Sequence, residues 1–134
     1  MALDAAVRRK VRKRAHDRCE YCHLRQEHSA LNHHFEHIVP RKHGGVDTPE
    51  NLALACHRCN LSKGPNLTGI DPETGKLCQL FHPRRNRWSA HFRFQGLHLM
   101  GISPIGRTTV QTLSMNDSRR LELRAELLQL GELD

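Results

Sequence analysis

Apolar residues recur at helical spacing near the start of the chain. Val7, Val11 and Ala15 fall at i, i+4 and i+8, and Asp4 stands where a helix cap is expected. Most intervening positions are Arg or Lys. The pattern predicts a helix over residues 4–17 with a narrow apolar side. Its cationic side either follows a nucleic-acid backbone or faces solvent, and the sequence favours neither.

A second helical pattern lies near the end of the chain. Leu121, Ala125 and Leu128 form one apolar stripe, which follows a polar cap at residues 116–118. Gly131 is placed where a helix stops. These features predict a C-terminal helix that ends at Gly131 and buries the stripe.

Between the two helices, short apolar runs alternate with turn residues. Residues 34–39 have the β-branched and aromatic content of a strand, and Pro40 ends that strand. A turn-rich connection with two glycines leads to a second apolar run at residues 52–56. Residues 59–64 are predicted to form a short helix that closes at a glycine.

The segment after this helix reads as short strands. A turn at Asp71–Gly75 is followed by a strand, and two further strands are predicted on either side of Gly96. Residues 23–32 are predicted to be a loop. The coarse reading is an α+β protein with N- and C-terminal helices and several short strands.

Length and composition predict a thin core. The chain has 134 residues, 4% of them aromatic, and its mean hydropathy is -0.64. A hydrophilic domain of this size often needs a metal or disulfides to stabilise it. Its net charge of +7 and pI of about 9.6 favour an anionic partner, nucleic acid before membrane, although solubility alone is an equally simple explanation.

Targeting signals are not evident. No apolar run is long enough to span a membrane, and the N-terminus lacks the apolar region of a signal peptide. An Arg-rich amphipathic N-terminus can resemble a transit peptide, but here it runs straight into a cysteine motif. We therefore expect a cytoplasmic protein, no membrane partner and reduced thiols.

Five cysteines in a reducing compartment indicate metal binding. Cys19 and Cys22 form one CxxC pair, Cys56 and Cys59 form another, and Cys78 has no partner pair. Two such pairs supply the four thiolates of a closed, structural zinc site. A redox CxxC or plain buried cysteines are the alternatives, and Cys78 is expected to be a plain buried thiol.

A carboxylate and an imidazole lie side by side between the cysteine pairs. His37 is suited to take a proton from water, and Glu36 offers a hard oxygen to a divalent ion such as Mg2+. Asn60 can supply that ion with a second oxygen. Three basic residues are placed to meet phosphates, namely Arg41, Lys42 and Lys63.

Strand geometry complicates this arrangement. Neighbours on an ideal strand point to opposite faces, so Glu36 and His37 cannot both reach one phosphate unless the strand distorts. Pro40 ends the strand but does not require the distortion. His34 lies two residues before Glu36 and so faces the same side of the strand, which makes it a further candidate ligand for the ion.

The segment over residues 19–64 resembles the HNH nuclease family. The matching stretches occur in order as CEYC, EHIVPRKHGG, NLALACHRCN and KG. The resemblance implies a small zinc-stapled ββα-metal core, treble-clef-like, with flanking helices and extra short strands. Residues 65–134 are expected to be an extension packed on that core, so that residues 1–134 form one HNH nuclease domain.

The resemblance also implies an activity and its cofactors. It implies a metal-dependent endonuclease that hydrolyses phosphodiester bonds in DNA, or alternatively RNA, with a structural Zn2+ and a catalytic Mg2+ or Mn2+. It assigns His37 as the general base, and it assigns Glu36 and Asn60 as ligands of the catalytic ion. Asn51 is implied to fix the loop and orient the base. The family more often has Asp in place of Glu36 and often His in place of Asn60.

Two other functions remain open at this point. A non-catalytic zinc module that binds nucleic acid would explain the charge and the cysteines but would not need His37 or Asn60. A zinc-stapled protein-interaction domain would explain only the cysteines. Trp88 is expected to belong to the core, and the arginines at 84, 85 and 87 to face solvent or phosphate.

Overall fold

The computed structural model describes residues 3–133, which form α-helices and short antiparallel strands. The helices are α1 (Ala5–Arg14), α2 (His57–Lys63), α3 (Pro104–Thr112) and α4 (Ser118–Gln129). The strands are β1 (His34–His37), β2 (Leu52–Ala55), β3 (Thr68–Ile70), β4 (Leu77–Gln79), β5 (Phe92–Gln95) and β6 (His98–Gly101). The predicted α+β class is confirmed. None of the described helices is long and apolar enough to cross a bilayer.

Helix α1 begins as predicted and ends early. The Asp4 carboxylate accepts a hydrogen bond from the Ala6 amide at 2.7 Å, which caps the first turn. The helix stops at Arg14 because His16 and Asp17 adopt positive φ values of 55° and 54°. Val11 is fully buried against β2.

Strands β1 and β2 form a hairpin with a different neighbour on each face. The ladder pairs Glu36 with Ala53 and His37 with Leu52. Leu52 and Leu54 pack against α1, whereas Ala53 and Ala55 join the cluster that contains the paired cysteines. Successive residues of β1 therefore face two different environments.

Helix α2 follows β2 directly. Cys56 is its N-cap, and its sulfur accepts a hydrogen bond from the Cys59 amide at 3.4 Å. This cap starts the helix at His57, two residues before the predicted start at 59.

The segment after α2 contains one helix that the pattern did not predict. The turn at Asp71–Gly75 connects β3 to β4, and Gly96, with φ 59°, connects β5 to β6. The turn, β4 and the β5–β6 hairpin agree with the sequence prediction, whereas β3 was not predicted. Helix α3 was missed, even though Ser103 caps it and Pro104 occupies its first turn.

Helix α4 forms as predicted, but its buried face is different. Leu128 is 58% exposed, whereas Arg120, Arg124 and Leu127 are buried. The predicted stripe is wrong because the helix turns its arginines inward. The guanidinium of Arg120 lies 3.2 Å from the sulfur of Cys59, so the cysteine cluster explains this orientation.

One apolar cluster joins the two halves of the chain. It contains Tyr21 and the paired cysteines together with Phe81, Phe92 and Leu99 from the later segment. Trp88 packs on this cluster, and its indole N–H donates to the Tyr21 carbonyl at 2.8 Å. The segment after α2 therefore contacts the cysteine-containing half through buried side chains.

Candidate metal centre and nuclease site

The four paired cysteines come together as one buried cluster. Their sulfurs all lie within 4.8 Å of one another, and those of Cys22 and Cys56 are 3.7 Å apart. Zn–S bonds of about 2.3 Å in a tetrahedron place sulfurs roughly 3.8 Å apart. The donor set and its spacing therefore fit a structural zinc ion. Cys78 lies outside this cluster.

Backbone amides and an arginine surround the sulfurs. The Cys22 amide donates to the Cys19 sulfur at 3.4 Å, in the same way that the Cys59 amide donates to Cys56. Arg120 adds a charged donor to the Cys59 sulfur. These donors stabilise thiolates, the form that zinc binds.

Glu36 lies on the buried face of β1. Its Oε2 accepts a hydrogen bond of 2.7 Å from the Tyr21 hydroxyl, and its Oε1 lies 2.6 Å from the Lys63 ammonium. Lys63 is 2% exposed and also donates to the Ile38 carbonyl at 3.1 Å. Burial raises the pKa of Glu36, while Lys63 and Tyr21 act to lower it.

Two expected site residues lie in the interior. Glu36 was expected to hold a divalent ion; only 6% of the residue is exposed, its Oε2 accepts from Tyr21, and its Oε1 is ion-paired with Lys63 but has no hydrogen-bond partner. Lys63 was expected to meet phosphates, but it is buried beside Glu36. The two residues form an internal ion pair that joins β1 to α2.

His37 lies on the other face of β1, with a fifth of its side chain exposed. Its Nε2 is 2.7 Å from Oδ1 of Asp47. Arg41 donates to the same carboxylate through Nε and Nη2 at 2.9–3.1 Å. The hydrogen bond with His37 and those from Arg41 lower the pKa of Asp47. Sequence reasoning missed Asp47, and its only signal was a carboxylate after the double glycine.

Asn51 holds the loop that follows β1. Its Oδ1 accepts from the Val39 amide at 2.9 Å, and its Nδ2 donates to the Val39 carbonyl at 3.0 Å and to the Val46 carbonyl at 2.8 Å. Gly45 packs against the Val39 carbonyl so closely that a Cβ would overlap it. The Asn51 amide thus replaces ladder pairing just before Pro40.

A shallow cleft brings several of the predicted residues together. His34, His37, Arg41 and Asn60 line this cleft of about 330 Å³. Nε2 of His34 lies 3.2 Å from Nδ1 of His57 in α2, a residue that was not among the predicted ligands. His34 can therefore pair with a helix residue one turn before Asn60.

The HNH endonuclease family model matches residues 19–66. Residues 19–66 form an HNH endonuclease domain. The resemblance inferred from the sequence is confirmed, and the domain coincides with the four-cysteine cluster, the β1–β2 hairpin and α2.

Two known proteins are similar to this chain. The CRISPR-associated endonuclease Cas9 of Corynebacterium diphtheriae is 45% identical over 53 residues, which cover 39% of this chain and 5% of Cas9. The Septu protein PtuB of Bacillus thuringiensis is 27% identical over 114 residues, which cover 80% of this chain and 40% of PtuB. The chain thus spans less than half of either relative. No solved structure matches it.

The HNH domain divides the predicted site residues into two groups. His37 and Asn60 share the open cleft with Arg41, and Lys42 is exposed at the start of the following loop. Glu36 and Lys63 are enclosed behind the strand. Asn51 contacts neither group directly but fixes the loop between them.

Proposed function

We propose that the protein is a metal-dependent endonuclease that hydrolyses phosphodiester bonds in DNA, with His37 as the general base. RNA is the alternative substrate. The observation that carries the proposal is the hydrogen bond between His37 and Asp47 at the open end of an HNH domain.

The pairing with Asp47 suits His37 to the role of a base. A carboxylate accepts the hydrogen on Nε2, so Nδ1 of the neutral ring carries the free lone pair. That lone pair takes a proton from the attacking water, and Asp47 then stabilises the imidazolium that forms. Arg41 keeps Asp47 ionised and in position.

The divalent ion fits only part of the residue set expected from the sequence. Glu36 does not fit in this arrangement, because it is buried and the Lys63 ammonium occupies the place beside Oε1 that a cation would take. Asn60 lines the cleft, and the His34 and His57 nitrogens are 3.2 Å apart. Two nitrogens bound to one ion at about 2.1 Å would lie roughly 3.0–3.4 Å apart.

We therefore assign Asn60, His34 and His57 as the residues that would hold the ion. When bound, a divalent ion supplies positive charge beside the phosphate and the leaving oxygen. Imidazole nitrogens suit Mn2+ better than Mg2+, which prefers oxygen ligands and retained water. Mn2+ is accordingly the better of the two expected cofactors for this set.

Basic residues at and near the cleft would meet the substrate backbone. Lys42 is exposed at the start of the loop after β1, and Arg8 of α1 lines the cleft beside His37. The net charge of +7 favours association with a polyanion. Arg41 is engaged with Asp47 and Arg8 donates to the Leu3 carbonyl, so exposed Lys42 is the best candidate for a phosphate contact.

One observation favours a second candidate function. Because Glu36 is enclosed, the cleft lacks the carboxylate expected from the sequence, and a non-catalytic zinc module that binds nucleic acid would not need one. The two candidates differ in whether His37 is required for more than binding.

The test is a plasmid cleavage assay with Mn2+ or Mg2+ and with EDTA controls. We expect His37→Ala to lose roughly 10²–10⁴-fold in cleavage rate while keeping its DNA affinity. His43→Ala, in the exposed loop that follows, is the matched control and should cleave normally. Equal cleavage by His37→Ala, or no cleavage by zinc-loaded wild type, would favour the binding module.

A further inference from the structure

A large groove lies apart from the nuclease cleft. It has a volume of about 570 Å³ and runs between the loop after the first cysteine pair, the start of α2, the segment around Trp88 and helix α4. Of the residues assigned to the proposed reaction, His57 lines it, whereas His34, His37, Asp47 and Asn60 do not. The groove is therefore not explained by the proposed reaction.

The groove has an apolar floor built from two separate parts of the chain. Leu24 and Leu31 come from the loop after the first cysteine pair, and Leu123 and Leu127 come from α4. Leu31 is 53% exposed, so this apolar surface reaches solvent. A concave aliphatic surface of this kind is typical of sites that bury a partner side chain.

The charges around the floor are mostly positive. Among the residues that line the groove are six arginines and one carboxylate, that of Glu132. Arg120 and Arg124 point inward to the Cys59 sulfur and to backbone carbonyls. The side chain of Arg58 is 42% exposed and already pairs with Asp117 at 3.1 Å, whereas Arg119 is exposed on the first turn of α4. The surface therefore favours an acidic occupant.

The residues that follow α4 show which kind of side chain the groove accepts. Glu132 and Leu133 follow α4 and lie at the groove, where Oε2 of Glu132 is 3.1 Å from Nε2 of His28. An acidic residue next to a leucine thus already contacts one end. The remainder of the groove offers the same combination of arginines and leucines.

Stacked nucleic-acid bases fit this surface less well than aliphatic side chains. Trp88 is already stacked on His23, with ring centroids 3.8 Å apart, and its N–H is bonded to the Tyr21 carbonyl. Phe94, which is 36% exposed, also lines the groove, but it packs at a tilt on Trp88 and lies under the Arg124 guanidinium, whereas a single-strand binding site would need open aromatic faces.

We propose that this groove docks a protein partner through an acidic segment with leucine-type anchors. The leucines of the partner would pack on Leu31 and Leu123, and its carboxylates would meet Arg119 and the exposed part of Arg58. The groove would hold the partner while leaving the cleft at His37 open, so docking and cleavage would be separable properties of one chain.

The test uses the full chain, loaded with zinc, and a fluorescein-labelled peptide with two leucines one helical turn apart and glutamates at both ends. Binding is followed by anisotropy and by the emission of Trp88, the only tryptophan in the sequence, which lines the groove. We expect saturable binding and a change in tryptophan emission. A peptide with lysines in place of the glutamates should not bind.

Variants locate the binding and separate it from cleavage. Leu123→Glu and Arg119→Glu should each weaken peptide binding by roughly tenfold or more. Leu128→Glu on the outer face of α4 and Arg93→Glu on β5 are the matched controls and should bind normally. All four should retain whatever nuclease activity the wild type has, which distinguishes failure of this proposal from failure of the nuclease assignment.

Three outcomes would overturn the proposal. The first is absence of peptide binding to the folded wild type. The second is an emission change with single-stranded oligonucleotide that Leu123→Glu abolishes, which would make the groove a nucleic-acid site. The third is self-association that Leu123→Glu abolishes, which would make a second copy of this chain the occupant.

Discussion

Glu36 and His37 are neighbours in β1, yet they occupy opposite kinds of environment. Glu36 faces α2, where Tyr21 and Lys63 hold its carboxylate in a nearly dry pocket. His37 faces the open side, where exposed Asp47 holds its ring. Both pairs are acid–base contacts of about the same length, 2.6 Å and 2.7 Å.

The difference lies in what each contact can do. The buried pair is shielded from water, so removing one of its two partners leaves an uncompensated charge in the interior. The exposed pair contributes little stability, because solvent screens it, but it fixes the tautomer and direction of a ring that reaches the surface. Perturbing the two faces should therefore give opposite phenotypes, one in stability and the other in cleavage.

Loss of the zinc site should have the largest effect, because it disrupts the buried face and the open face of β1 together. The four cysteines tie the ends of the segment that contains β1 and β2 to one point. Structural zinc contributes on the order of 10 kcal/mol in small domains, more than a protein of this size can lose. We expect Cys59→Ser to lose bound zinc and cooperative unfolding, as measured by metal analysis and circular dichroism.

Cys78→Ser is the control for the zinc prediction. Cys78 is outside the cluster, so its variant should bind zinc and unfold like wild type. A Cys59→Ser protein that still unfolded cooperatively without metal would show that the apolar core alone is sufficient.

The next largest effect should come from the buried face. Lys63→Met leaves Glu36 without its counter-charge and should cost about 3–5 kcal/mol in the free energy of unfolding. Lys42→Met, at an exposed position, should change it by less than about 0.5 kcal/mol. Urea unfolding measures both.

A double variant sharpens this comparison. Glu36→Gln combined with Lys63→Met removes both charges and should recover part of the loss. If Lys63→Met alone were as stable as wild type, Lys63 would not be needed as the counter-charge, and Glu36 would be free to serve as a metal ligand.

The sequence predicted the parts of this site that depend on local chemistry. The CxxC spacing identified the four thiolates, and the alternation of a strand placed Glu36 and His37 on opposite faces. The pattern could not show which face is buried. Lys63 illustrates the reason, because lysine is rarely buried and only a partner on another element makes its burial possible.

Long-range contacts explain the other differences. The inward turn of α4 depends on the Cys59 sulfur, 61 residues away from Arg120, and on the Leu97 carbonyl, 27 residues away from Arg124. Helix α3 contains Gly106 and two buried threonines, which are weak helix formers, so tertiary packing stabilises it more than propensity does. Asp47 was missed because a loop carboxylate has no periodicity to mark it.

Weakening the loop that follows β1 should have an intermediate effect on stability. Asn51→Ala removes three hydrogen bonds to the backbone of Val39 and Val46 and should cost about 1–3 kcal/mol of stability. Cleavage should fall as well, because the loop positions Asp47. Asn66→Ala, which is exposed after α2, should affect neither. Normal cleavage by Asn51→Ala would show that the loop holds its shape without the amide.

The smallest change in stability should come from the open face. Asp47→Asn keeps the size of the side chain but weakens the hold on Nε2 of His37. We expect cleavage to fall by roughly tenfold, about 1.4 kcal/mol in the activation free energy. Glu50→Gln, another exposed carboxylate of the same loop, should cleave normally. Unchanged cleavage by Asp47→Asn would mean that His37 does not depend on this contact.

The pH dependence gives a separate measurement of the same contact. The hydrogen bond with His37 and those from Arg41 lower the pKa of Asp47, so its small contribution to stability is present above the usual aspartate range, near 4, and is lost as pH falls through the lowered pKa. The difference in melting temperature between wild type and Asp47→Asn should therefore shrink below about pH 4. A difference that stayed constant through this range would show that the carboxylate is not charged in the contact. Asp47 would then position His37 without an ionic interaction, and the two contacts of β1 could no longer be compared as two ion pairs.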